Sequence, residues 1–187
     1  MDLELASQIA AKHFGITGNA TTLAGERNPN FLITNATEKF VLKIHNADEI
    51  PQIQLQQNVL AALEHLVKFQ TPMTVPATSG ELLVDIGNGN FARMLTWIDG
   101  DLWSQSHDIG ENQKVQLGRL IATVDSQLAT VDCTNFRTTL DQPFGWNALQ
   151  ANELTADIAL IKDVELRDQV STIFDRISNR TLAKVLA

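Results

Sequence analysis

Residues 25–46 read GERNPNFLITNATEKFVLKIHN, and the fold turns on this stretch. Phe31, Leu32 and Ile33 form a short apolar run, residues 34–38 favour a turn, and residues 40–45 alternate. Strand side chains alternate with a period of two. Phe40, Leu42 and Ile44 therefore face one way and Val41, Lys43 and His45 the other. A lysine inside an apolar strand is costly to bury unless an anion meets it. The polar turn one hairpin earlier (Gly25, Glu26, Arg27, Asn28, Pro29, Asn30) can bring backbone N–H groups to the same place. Turn and lysine together predict a phosphate cradle with a point charge. The competing reading is an edge lysine whose ammonium reaches water.

Three further motifs follow the GERNPNFLI of residues 25–33: FVLKIHN at 40–46, QLQQNVLAALEHL at 54–66 and ARMLTWIDG at 92–100. In this order they resemble the aminoglycoside phosphotransferase/choline kinase family, and within it the hydroxylysine-kinase-like proteins. The resemblance implies a protein-kinase-like fold in which Lys43 holds the α- and β-phosphates of ATP. Gly25, Glu26, Arg27, Asn28 and Asn30 would cover those phosphates, and Val41 would roof the adenine. Backbone groups at Thr96, Trp97 and Ile98 would contact the base at a hinge between lobes, although Trp97 could equally be an ordinary core aromatic. Kinases carry a Glu on the next helix that pairs with this lysine. The matching position here is Gln57, or Gln56 if the register shifts by one. A neutral amide holds a lysine more weakly than a carboxylate does. A solvated helix face is the alternative for these glutamines.

The fold expected is α+β. A kinase-like small lobe of five mainly antiparallel strands plus one packed helix spans residues 1–98, and the first helices of an incomplete helical large lobe span 99–187. Helices are predicted at Leu3–Phe14, with Leu5, Ile9 and Ala10 inward and Gly15 as the stop, and at 47–68, with Ile53, Leu60, Leu63 and Val67 inward. A strand at 21–24 precedes the hairpin, and a second hairpin, 81–86 with 90–98, turns at Asn88-Gly89. Leu117, Leu120, Ile121, Val124 and Leu128 give a helix over 111–131 one apolar face. Further helical stretches are expected at 147–161 and 164–186.

Composition narrows the function classes. The chain has 187 residues, 44% of them apolar, and a formal charge of −8, which disfavours non-specific binding to nucleic acid. No apolar run is long enough to span a membrane, and the first residues do not read as a signal peptide. The single Cys133 has no internal disulfide partner, and no Cys/His cluster shows metal-ligand spacing. A reducing cytoplasm is the expected setting.

Catalysis in the family needs His-x-Asp-x-x-x-x-Asn, whose Asp accepts the substrate proton, and a later Asp that holds Mg²⁺. Two residues beyond the four histidines lie Gly15, Ala47, Val67 and Ile109, and none is Asp. His107-Asp108 with Asn112 is a decoy with the wrong spacing. The expectation is the ATP-binding front part of a small-molecule kinase whose catalytic loop would follow Ala187, inactive alone. The parent would use ATP with Mg²⁺, whose ligands are not expected in this chain. Its acceptor would be an amino-alcohol, hydroxy-amino-acid or aminoglycoside-like cation. In some proteins of the hydroxylysine-kinase-like group the kinase domain is joined to peptidase-like and aminotransferase domains. The alternative is a non-catalytic kinase-like binding or regulatory module that pairs with another chain. An open face at Leu166, Val170, Ile173 and Ile177 would favour self-association.

Overall fold

The computed structural model describes residues 2–25, 27–66, 69–106, 109–140 and 148–185. Contacts divide the chain into two compact units, residues 1–139 and 140–187.

In the first unit, helix α1 (Leu3–Phe14) starts where the Asp2 side chain accepts a hydrogen bond from the Leu5 N–H at 2.8 Å, and it stops at Gly15. Ile9 and Ala10 are buried as expected, but Leu5 is exposed and Ala6 and Phe14 complete the inward face. The spacing 6, 9, 10, 14 is that of one helical stripe.

Among the described residues, six strands form a single antiparallel sheet: β1 (Asn19–Leu23), β2 (Asn30–Thr34), β3 (Lys39–Asn46), β4 (Thr74–Val75), β5 (Val84–Gly87) and β6 (Asn90–Thr96). The order is β1-β2-β3-β6-β4, with β5 also on β6. The hairpin of residues 25–46 thus lies at the centre of the sheet. The strand beyond the expected five is β4, whose two residues sit close to Pro72 and Pro76 and offer no period to read. The β5–β6 turn passes through Gly87, Asn88 and Gly89 at φ of 90°, 56° and 72°. That left-handed run suits two glycines and an asparagine.

One face of the sheet is the core. Phe31, Ile33, Leu42, Ile44, Ala92 and Met94 pack with Ala6, Ile9, Ala10 and Phe14 of α1. This is the alternation read from Phe40, Leu42 and Ile44, with Phe40 only partly buried at its margin.

After β3, a 3₁₀ turn (Ala47–Glu49) leads into helix α2 (Ile50–Leu66), where Ile53 and Leu63 are buried; Val67 lies outside the described residues. Helix α3 (Glu111–Leu128) is followed by the short α4 (Arg137–Leu140). Leu117, Leu120 and Ile121 on α3 are exposed.

In the second unit the expected helix over 147–161 is wound as 3₁₀ from Ala148 to Leu160. Thr155 and Asp157 fall within it, and short polar side chains weaken an α-helix. Helix α5 (Val164–Val185) follows, with Leu166 and Ile173 exposed; the side chain of Ile177 lies outside the described residues. Among the described residues no helix is long and apolar enough to cross a membrane.

Candidate functional site

The face of the sheet away from the core carries two rows of side chains, each running across β2, β3 and β6. Leu32, Val41 and Leu95 are register partners and make an apolar row. Two residues along the strands, Asn30, Lys43 and Arg93 are partners in the same way and make a polar, doubly cationic row. Period-two alternation places both rows on one face.

Lys43 is half-buried, and no carboxylate among the described residues pairs with it. Burial first, and the nearby Arg93 guanidinium second, lower its pKa from the ordinary lysine value. Arg93 is only 3% exposed. Its Nη2 donates to Gln56 Oε1 of α2 at 2.5 Å and its Nε to His45 Nε2 at 3.2 Å. Two buried polar atoms of this row, Asn30 Oδ1 and Arg93 Nη1, have no hydrogen-bond partner among the described residues. Orphaned donors and acceptors in a buried site call for an explanation, and a bound polar ligand is one.

Next to the cationic row, His45 Nδ1 lies 3.3 Å from Glu49 Oε2. The Arg93 Nε–H can only donate, so His45 Nε2 accepts and the imidazole proton sits on Nδ1, directed at Glu49. Burial, and then Arg93, push the pKa of His45 down to about 4. Asn28 Nδ2 donates to both Glu49 oxygens, at 2.9 and 2.7 Å. Burial alone would raise the Glu49 carboxyl, but hydrogen bonds from Asn28, the Asn46 N–H and His45 hold it below the usual range.

The turn before β2 is closely built. The Asn30 side chain donates to the Asn28 carbonyl at 3.1 Å, and the Ile44 N–H donates to the Pro29 carbonyl at 3.1 Å. A Cβ on Gly25 would lie 2.6 Å from the Asn28 carbonyl oxygen, so only glycine fits there. Where β6 ends, the Thr96 N–H donates to the Met73 carbonyl and the Trp97 N–H to the Lys39 carbonyl. The Ile98 N–H has no partner among the described residues.

This face sits in a chain that matches the phosphotransferase enzyme family over residues 20–185. The chain belongs to that family. Its fold is similar to a microcompartment-associated aminopropanol kinase, with a TM-score of 0.55 and 20% identity over 80% of this chain and 46% of the other. It is also similar to spectinomycin phosphotransferase in complex with ADP and spectinomycin, with a TM-score of 0.57 and 13% identity over 96% of this chain and 54% of the other. The chain therefore spans about half the length of these structures. Among curated proteins, none matches it.

On this sheet Lys43, Val41 and Asn30 lie in the two rows, and Asn28 precedes them in the turn before β2; Thr96 pairs with Phe40 on the opposite face, and Trp97 and Ile98 follow the end of β6. The side chain of Arg27 is exposed, and Glu26 lies outside the described residues. Of the two glutamines, Gln56 enters the site, through Arg93. Gln57 instead donates to the Leu82 carbonyl at 3.0 Å. Neither glutamine bonds Lys43. His45, Glu49 and Arg93 escaped the sequence reading as site residues. Arg93 carried the same signal as Lys43, a cation inside an apolar strand.

Proposed function

We propose that this chain is the ATP-binding part of a small-molecule phosphotransferase, with residues 1–98 as its nucleotide-binding lobe. The observation that carries this is the pair of rows on one sheet face. The apolar Leu32–Val41–Leu95 row suits a purine, and the adjoining row with Lys43 suits the phosphates. Lys43 serves as a point charge on phosphate oxygens because no acid among the described residues claims it. The turn at Gly25, Asn28 and Asn30 covers the phosphates, and the free Ile98 N–H donates to the base. ATP supplies the phosphoryl group that such an enzyme transfers, accompanied by Mg²⁺. The acceptor in the whole protein is a small hydroxyl compound carrying a cationic group, which an acidic surface attracts.

A non-hydrolysable ATP analogue should bind the chain, with quenching or enhancement of tryptophan emission as the signal. Replacing Lys43 with Ala should weaken that binding by about tenfold or more, the worth of one hydrogen bond to a charged group. Adenosine should lose little, since its contacts lie on the other row. Equal affinity of wild type and Lys43→Ala for the analogue would overturn the reading. It would also favour a kinase-like module that binds another chain, for which the neutral Gln56 and Gln57 in place of an acid are the supporting feature.

A further inference from the structure

We propose that Glu49 and His45 are positioning residues that fix Asn28, and with it the turn at residues 27–30, above Lys43. This deepens the nucleotide reading of the same site and rests on it. Neither residue needs to touch a ligand.

Arg93 is permanently charged and only donates, so the chain Arg93 Nε–H to His45 Nε2, then His45 Nδ1–H to Glu49 Oε2, has one orientation. The neutral imidazole connects the buried guanidinium to the carboxylate, and each polarises the next link. The carboxylate in turn takes the Asn28 amide on both oxygens. The 3.3 Å approach of Asn28 Nδ2 to His45 Nδ1 is then a meeting of two donors at one acceptor.

Placement gives this chain its purpose. His45 and Lys43 are two residues apart on β3, and Glu49 follows in the 3₁₀ turn that leads into α2. Among the described residues of the turn, Asn28 is the side chain tied to β3 and its extension, and the Asn30 amide ties back to the Asn28 carbonyl. Loss of Glu49 therefore releases the turn from its side-chain anchor. The Pro29–Ile44 backbone bond remains as the pivot. The carboxylate offsets Arg93 through the imidazole, which leaves the Lys43 charge to a ligand.

The test compares wild type with Glu49→Ala and Asn28→Ala by amide hydrogen exchange and by affinity for the ATP analogue and for adenosine. In both variants the Ile44 amide, which donates to the Pro29 carbonyl of the turn, should exchange about tenfold faster, in proportion to a lost charge-assisted bond, while Ala92 and Met94 stay slow. Affinity for the analogue should fall several-fold relative to adenosine. Asn28→Ala removes no charge, so it carries the test if Glu49→Ala fails to fold. Unchanged exchange of the Ile44 amide, or an unchanged ratio of analogue to adenosine affinity in variants that fold, would overturn the positioning role alone. Absence of nucleotide binding by wild type would instead overturn the nucleotide reading, and the positioning role would fall with it.

Discussion

Between pH 7 and pH 4 the chain should lose about 3 kcal/mol of folding free energy through His45 alone, at about 1.4 kcal/mol per pH unit. His45 has a folded pKa of about 4 against an ordinary 6.5, because it is buried beside Arg93. In that window the unfolded chain takes up a proton that the folded chain refuses. Stability is therefore complete above the unfolded value and is lost as pH falls towards the folded one. Protonating Nε2 would place a second cation 3.2 Å from the Arg93 Nε and remove the acceptor of its hydrogen bond. Urea unfolding at pH 7, 6, 5 and 4.5 measures the slope. His45→Gln keeps a polar side chain without the titration and should flatten this limb. A wild-type curve that is flat between pH 6.5 and 5 would show that the imidazole is not held neutral.

Leu42→Ala should lower stability by about 3 kcal/mol, within the span found when a fully buried leucine is truncated. Leu42 is 0% exposed on the central strand, and its register partners are Phe31 on β2 and Met94 on β6. Those neighbours belong to strands held in the sheet by backbone ladders, so they cannot collapse into the void. Small domains have only about 5–15 kcal/mol in hand, and such a loss should lower the midpoint of chemical unfolding clearly. The residue next to Leu42 is Lys43, yet the variant should keep nucleotide affinity while it remains folded. The two side chains point to opposite faces, so parallel measurements of unfolding and binding separate the core from the site.

Much of this lobe was legible because β-structure writes itself in alternation. Residues 40–45 announced both the core face and the Lys43 face, and Asn88-Gly89 announced the hairpin that carries Arg93. The end of α1 followed from Gly15, whereas its Asp2 cap is seen only in the structure. Parts without local periodicity stayed hidden. Thr74–Val75 pairs with β6 only because the chain returns there, and no spacing in two residues can say so. The choice of Gln56 over Gln57 depends on the angular setting of α2 against β6, which a one-residue ambiguity in register erases. The link from His45 to Arg93 spans 48 residues and exists only once β3 and β6 are neighbours. His45 and Glu49, four apart, could have been suspected, but a strand end and a 3₁₀ turn lie between them, so a helical i,i+4 rule had no purchase.

Helix α1 lies wholly before residue 20, where the family match begins. Yet Ala6, Ile9, Ala10 and Phe14 cover the apolar side of the sheet, and the His13 carbonyl takes hydrogen bonds from both the N–H and the hydroxyl of Thr78. The limit of family likeness is thus not the limit of the folding unit. A piece excised at residue 20 would bare Phe31, Ile33, Leu42 and Ile44 to water, with the Lys43 face still intact on the other side. A portion of this lobe able to stand by itself should therefore include the N-terminal helix, whose buried residues supply shape and oiliness.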